Sequence, residues 1–393
     1  MSCSPLTSSP LKLPLSFSTQ RKKLLLCRLP PATASVPLVV LHDSLDTAGI
    51  DTSLARAARE SFCQQVGKMS GIDSETSITI SRGADLARAA LHIAAEDDSL
   101  VSHSSASLPV DAFISRLDDL SMDFCSLYMP PSNAPPEIFL DNLERYFYVH
   151  KVLTCRSGSA IMLSLIYSEM VKMLRIYGFL DFDAEIYFPH DFGSLPRGYQ
   201  KQKSKMSDQP HIMTSKALLV EVLRNLKDAF WPFRYGHSGS LFLRAVHAAN
   251  HIYGPSSEGE SSLEIASAKA AQYRLEHGVQ TTVHFGDMRR ALAACERLVF
   301  LDVDFRELRD YAILLYHCGF YEECLDCLKS YETAKSCSPR RKFRSNPIEE
   351  LEEDAVENLK ARLNLILGEE GWNKFKIDIK TEQQEANYRS SLP

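Results

Sequence analysis

The sequence predicts a mainly α protein, with one short strand element and helical hairpins that repeat toward the C-terminus. Three observations carry this expectation. Apolar residues recur at helical spacing along most of the 393 residues. One short apolar and aromatic run, 184–188, interrupts that spacing. A glycine-led pattern recurs after 33 residues in the last third of the chain.

The chain opens on a stretch unlike a folded body. Residues 1–41 contain no Asp or Glu but carry Lys12, Arg21, Lys22, Lys23 and Arg28, with abundant Ser, Thr and Pro. The whole chain has a formal charge of −6, so the remainder without those five charges stands at about −11. An acid-free, basic, Ser-rich leader has the composition of an organelle transit peptide. The leucine run at 24–26 is too short for a secretory core, and Ser-Pro steps with few arginines favour a chloroplast destination. A disordered transit peptide over 1–50 and a stromal location are the expectation.

The elements follow in order. Phe113, Leu117, Leu120, Phe124 and Leu127 form one helical stripe, stopped by Pro130-Pro131. Phe139, Leu143 and Phe147 mark the next helix. Residues 159–177 are apolar nearly all round, the pattern of a central helix packed on several sides, and Gly178 supplies its C-cap. The run 184–188 is the strand, and 201–208 reads as a polar loop. Helices are expected over 218–230, up to Pro232, and over 241–253. Residues 254–260 are rich in Gly, Pro, Ser and Glu and place a domain boundary between 51–254 and 255–371. Beyond it come three amphipathic helices with short connections, marked by Met288 to Val299, Phe305 to Leu315 and Tyr321 to Tyr331. A fourth carries Leu351, Ala355, Leu359 and Leu363. The polar tail, 372–393, is expected to be mobile.

The repeat pairs Gly286 with Gly319, Met288 with Tyr321, Ala291 with Cys324, and Cys295 with Leu328. A glycine at the turn, a large residue two later and a small one three after that form the tetratricopeptide pattern. The small position lets one helix approach the next. Only about one and a half repeats are evident, fewer than independent stability needs, so the array must lean on what precedes it.

No run reaches the roughly 18–20 apolar residues of a membrane span. An acidic body without a basic face argues against nucleic acid; the cluster 339–344 reads as a solvated linker. Ten cysteines lie without paired spacing in a chain too large to need disulfides. Cys324 and Cys327 are read as buried thiols. His247 and His251 would share a helix face, with His237 nearby, but no third ligand is signalled. No metal and no cofactor are expected.

The segments ADLARAALHIAAEDD (84–98), 143–167 (ending VLTCRSGSAIMLSLIY), AEIYFPHDF (184–192) and the repeat region 286–332 together resemble the SirB-type branch of the transglutaminase-like superfamily. In that branch, found in bacteria and plants, a transglutaminase-like core precedes tetratricopeptide-like helices. The resemblance implies a cysteine nucleophile at the start of the central helix, then a histidine and an acid on following strands. Ala160 stands where the nucleophile belongs. The family's Pro-Gly-His-Phe segment appears as Pro189-His190-Asp191-Phe192, and no strand bearing the acid is evident after it.

The expected function is therefore that of a non-catalytic stromal adaptor or assembly protein, a pseudoenzyme that binds protein partners through its repeat and core surfaces. Partner-binding candidates are Trp231, Phe233, Arg290 and Tyr321. The aromatic run 230–233 reads first as a core plug and second as a partner groove. The alternative is a residual thiol-dependent hydrolase or acyltransferase using Cys155 and His190.

Overall fold

The computed structural model describes residues 40–70, 85–102, 107–148, 160–188, 196–201, 203, 205–207, 211–212, 214–233, 239–253, 286–337 and 347–390. Among them are twelve helices and one two-stranded sheet, a mainly α fold. In chain order these are α1 (Val40–Thr47), α2 (Ser53–Ser70), α3 (Leu86–Ser102), α4 (Val110–Leu127), α5 (Pro136–Arg145), α6 (Ala160–Ile176), β1 (Ala184–Tyr187) and β2 (Arg197–Gln200). They continue with α7 (Ser215–Phe230), α8 (Leu241–Tyr253), α9 (Met288–Leu301), α10 (Arg306–His317), α11 (Tyr321–Cys337) and α12 (Pro347–Ser390). None of the described helices is long and apolar enough to cross a membrane.

Local chemistry explains the boundaries. Pro136 opens α5, where a missing N–H costs nothing. Thr214 caps α7 by accepting the Ala217 N–H, and Asp287 caps α9 by accepting from Arg289 and Arg290. Gly178 ends α6 with a positive φ of 81°. The central helix α6 buries Ile161, Leu163, Leu165, Tyr167, Met170, Val171 and Leu174, in keeping with its all-round apolar pattern. On α4 the predicted stripe is only partly used: Phe124 is buried, whereas Leu127 is exposed at the helix end.

Two hydrophobic clusters share the load. The first unites α2 to α7 and β1; the second unites α1 and the end of α7 with α8 to α12. Helices α7 and α9 pack together and run through both, with Leu298 and Leu301 of α9 in the first cluster and Met288, Ala291 and Leu292 in the second. The boundary expected at 254–255 borders residues outside the described ones. The helices on its two sides, α8 and α9 to α12, contribute to one core, so the short repeat array does lean on the preceding helices.

The 33-residue period is visible in the coordinates. Gly286 and Gly319 both have positive φ, 73° and 84°, and α9 and α11 each begin two residues later. Ala291, Cys295, Cys324 and Leu328 are all fully buried. Replacing Ala291 with leucine is expected to overpack this contact and cost about 1–3 kcal/mol, measured as a lower urea midpoint. An unchanged midpoint would remove Ala291 from the close approach.

Two expectations need correction, at the leader and at the strand element. The span 1–50 expected to be disordered includes α1, which is helical, and its Val40, Leu41 and Leu45 lie in the second core cluster because their apolar side chains complete it. Helix α12 also runs on through the expected tail to Ser390, with Glu, Gln, Lys and Ala, all good helix formers. A second strand, β2, does follow the His190 segment; it pairs antiparallel with β1, placing Gly198 opposite Ile186. Its residues are Arg, Gly, Tyr and Gln, so it carries no acid.

Candidate functional site

Cys155 and His190 lie outside the described residues, as does the cluster 339–344. Ala160 forms the first residue of α6, and its side chain is likewise outside the description. Of the four partner-binding candidates, two are removed from any surface. Trp231 and Phe233 are both essentially inaccessible, packed edge to face against each other, with His317 stacked on Phe233 at 4.1 Å. They form a core plug, the first of the two readings of that run. Burial also pushes His317 down to about 4, so it is neutral, donating from Nε2 to the Ala245 carbonyl. Arg290 is half-buried over the Phe230 ring at 4.7 Å, and Tyr321 is half-buried against Tyr316. The structure does not gather the four into one site.

The remaining sequence-marked groups divide in the same way. His247 is exposed on α8. Cys324 and Cys327 are buried, and burial raises both thiols, Cys327 to about 12, which suppresses thiolate chemistry. Among the described residues no group of three His, Cys, Asp or Glu is placed to hold a metal.

The densest concentration of charge is one that the sequence reading missed. Glu96 on α3 is fully buried and accepts from Arg59 of α2 at 2.6 and 2.8 Å and from Arg297 of α9 at 2.8 Å, while His42 of α1 lies 3.1 Å away. Arg297 also reaches Asp97 at 2.8 Å. Arg59 reaches Glu296 at 2.9 Å, which also accepts from the Leu41 backbone and the Tyr311 hydroxyl. Burial alone would raise the Glu96 carboxyl, but the guanidinium charges of Arg297 and Arg59 outweigh it and hold it far below the carboxylate range. For Glu296 and Asp97 burial wins, and both are raised. Five helices thus meet at one ionic knot that no substrate can reach. Glu296-Arg297 lies off the apolar stripe of α9, where a charged pair reads as solvent-facing, so nothing in the sequence signalled the knot.

A second knot ties α7, α10 and α12. Lys227 bridges Glu307 and Asp310 at 2.7 and 2.8 Å, and Arg309 binds Glu352 at 2.5 Å.

A more accessible assembly lies where α5 and α6 meet β2. The half-buried Glu144 accepts the Gly198 N–H at 2.9 Å, and the Tyr148 hydroxyl donates to the Pro196 carbonyl. The buried Tyr167 ring closes the other side. Burial pushes the Glu144 carboxyl up to about 7, against the smaller opposing effects of the Gly198 N–H and Arg197. A carboxyl poised there can exchange a proton at neutral pH. Nothing in the linear sequence singled out Glu144, because its environment is made by β2, which is distant in the chain.

The chain matches no protein-family model, no curated protein and no solved structure.

Proposed function

We propose that this protein is a non-catalytic chloroplast stromal adaptor, built on a degenerate transglutaminase-like core of the SirB type and acting by binding protein partners. The observation that carries the reading is how the repeat helices are used. Helices α9 and α10 are buried almost along their whole length, so Met288 to Val299 offers no partner face. The outer side of α12, packed beside α11, is exposed at Leu351, Glu350 and Asp354. There Leu351 lies beside the two acids, while Glu349 and Glu353 pair with Arg306 and Lys335. An exposed apolar side chain flanked by two carboxylates suits a partner segment whose own apolar residues are flanked by Lys or Arg. The order of a central helix, a strand and repeat hairpins supports the transglutaminase-like part of the reading, and the acid-free leader supports the destination.

A second reading, a residual thiol-dependent hydrolase or acyltransferase using Cys155 and His190, draws support from Glu144. A carboxyl titrating near neutrality is a usual companion of proton-transfer chemistry. One experiment separates the two. A null plant is complemented with the wild type, with Cys155→Ser, or with the double variant Glu350→Lys, Asp354→Lys. Both altered acids are exposed on one face of α12, so the fold should survive. The adaptor reading expects Cys155→Ser to rescue and the charge-reversed chain to fail. Rescue by the charge-reversed chain and failure of a folded Cys155→Ser would establish the enzyme instead.

A further inference from the structure

Helix α1 has eight residues, too few to persist alone in water, so its order comes from what holds it. Its first turn points inward. The Leu41 N–H, one of the donors that a helix leaves open at its start, donates to Glu296 of α9 at 3.3 Å. His42 is fully buried, with Nε2 3.1 Å from Glu96 of α3. Val40, Leu41 and Leu45 are buried in the core cluster that includes α8 to α12. The outer side is clamped to α2. Arg56 reaches Asp43 at 2.7 Å and also binds Asp46, which accepts from the Thr52 N–H and hydroxyl at 3.2 and 2.6 Å. Three helices far apart in the chain, α2, α3 and α9, thus close on one short helix that its own sequence could not hold.

We infer that α1 is a keystone: it undocks only when the body opens, so any proteolytic trimming from the N-terminal end must stop before Val40. The reason is what its departure leaves. Glu96 and Glu296 each lose a partner, and the ionic knot that ties α2, α3 and α9 together is opened to water on that side. The burial of Val40, Leu41 and Leu45 is lost in the same step. The fraying that is usual for a terminal helix is therefore suppressed here.

Trimming is hydrolysis of a peptide bond. Water adds across it, the acyl side leaves with the leader as a carboxylate, and the body keeps a new ammonium on its first residue. A bond broken after Val40 sets that ammonium against the buried core, and one broken further on removes Leu41 or His42 from the knot. Bonds before Val40 disturb neither. The five cations of the leader end at Arg28, so a cut between Arg28 and Val40 discards the whole basic leader and keeps the keystone. This placement rests on the proposed stromal destination; the keystone does not.

The test is hydrogen exchange in the full chain, comparing the amide of residue 45 in α1 with that of Leu298 in α9. In the wild type the two should be protected to within about tenfold of each other, because both exchange through the same opening. An α1 amide that exchanges faster than this margin allows would overturn the keystone. Leu45→Ala should then lower protection in both helices by at least ~30-fold, and a loss confined to α1 would likewise overturn it. The wild-type ratio decides the matter if the variant does not fold. After uptake of the full chain by isolated chloroplasts, mass spectrometry should find a first residue between Leu29 and Val40, whereas a first residue beyond Val40 would contradict the limit. A chain that is not taken up sinks the stromal destination instead, and the exchange comparison still decides the role of α1.

Discussion

Replacing Glu96 with alanine is expected to destabilise the protein by about 3–5 kcal/mol, enough to leave a marginal fold largely unfolded. The size comes from what stays behind. Arg59 and Arg297 both direct guanidinium nitrogens at this one carboxylate, and Arg297 is fully buried. Removing the anion leaves cations in an interior that cannot hydrate them. The measurement is the urea midpoint and slope for the wild type, Glu96→Ala and a control, Glu349→Ala. Glu349 pairs with Arg306 at 2.8 Å on the surface, where solvent screens both partners, so its loss should cost about 0–1 kcal/mol. Equal effects from the two alanines would mean that the buried knot holds nothing together.

The knot also predicts a pH signature opposite to that of Glu144. The Glu96 carboxyl is depressed in the folded state, so its contribution is fully present above the unfolded pKa of about 4.3 and is lost as pH falls below it. Glu144 is raised, so its contribution is present in acid and lost as pH climbs toward 7. Part of the wild-type stability lost in strong acid should therefore vanish from the difference between the wild type and Glu96→Ala.

These two carboxyls show where sequence reading reaches its limit. Helices α4 to α11 were legible because apolar spacing is a local signal: α8 was expected over 241–253 and is found at Leu241–Tyr253. Helix α1 was hidden because it is short and sits at the end of a stretch read by its composition. Strand β2 was hidden because Arg-Gly-Tyr-Gln has no apolar alternation; its pairing with β1 defines it. The ionic knot draws residues from positions 41 to 311, and only folding brings them within hydrogen-bonding distance of one another. The partner candidates Trp231 and Phe233 failed for a simpler reason. Large aromatics fit a core plug and a binding groove equally well, and Gly286 packs on the backbone of that plug.

That packing yields the last expected result. The repeat makes Gly286 and Gly319 equivalent, yet alanine at the two positions should behave differently. Both have positive φ, where a Cβ costs about 1–2 kcal/mol. Around Gly319 there is open space, so Gly319→Ala should cost little more than that strain. A Cβ on Gly286 would lie 2.5 Å from the Trp231 carbonyl oxygen and 2.6 Å from the Pro232 Cα, and neither atom is free to swing aside. The backbone there is fixed by the Asp287 N–H donating to the Phe230 carbonyl at 2.7 Å and by the buried Trp231 side chain. Relief requires the start of α9 to separate from the end of α7, the two helices that join both core clusters. Gly286→Ala is therefore expected to cost more than about 3 kcal/mol, strain and overpacking combined. Thermal unfolding of both variants beside the wild type gives the comparison. A Gly286→Ala loss no greater than that of Gly319→Ala would mean that the α7–α9 junction is loose, and that the repeat glycines serve only their own turns.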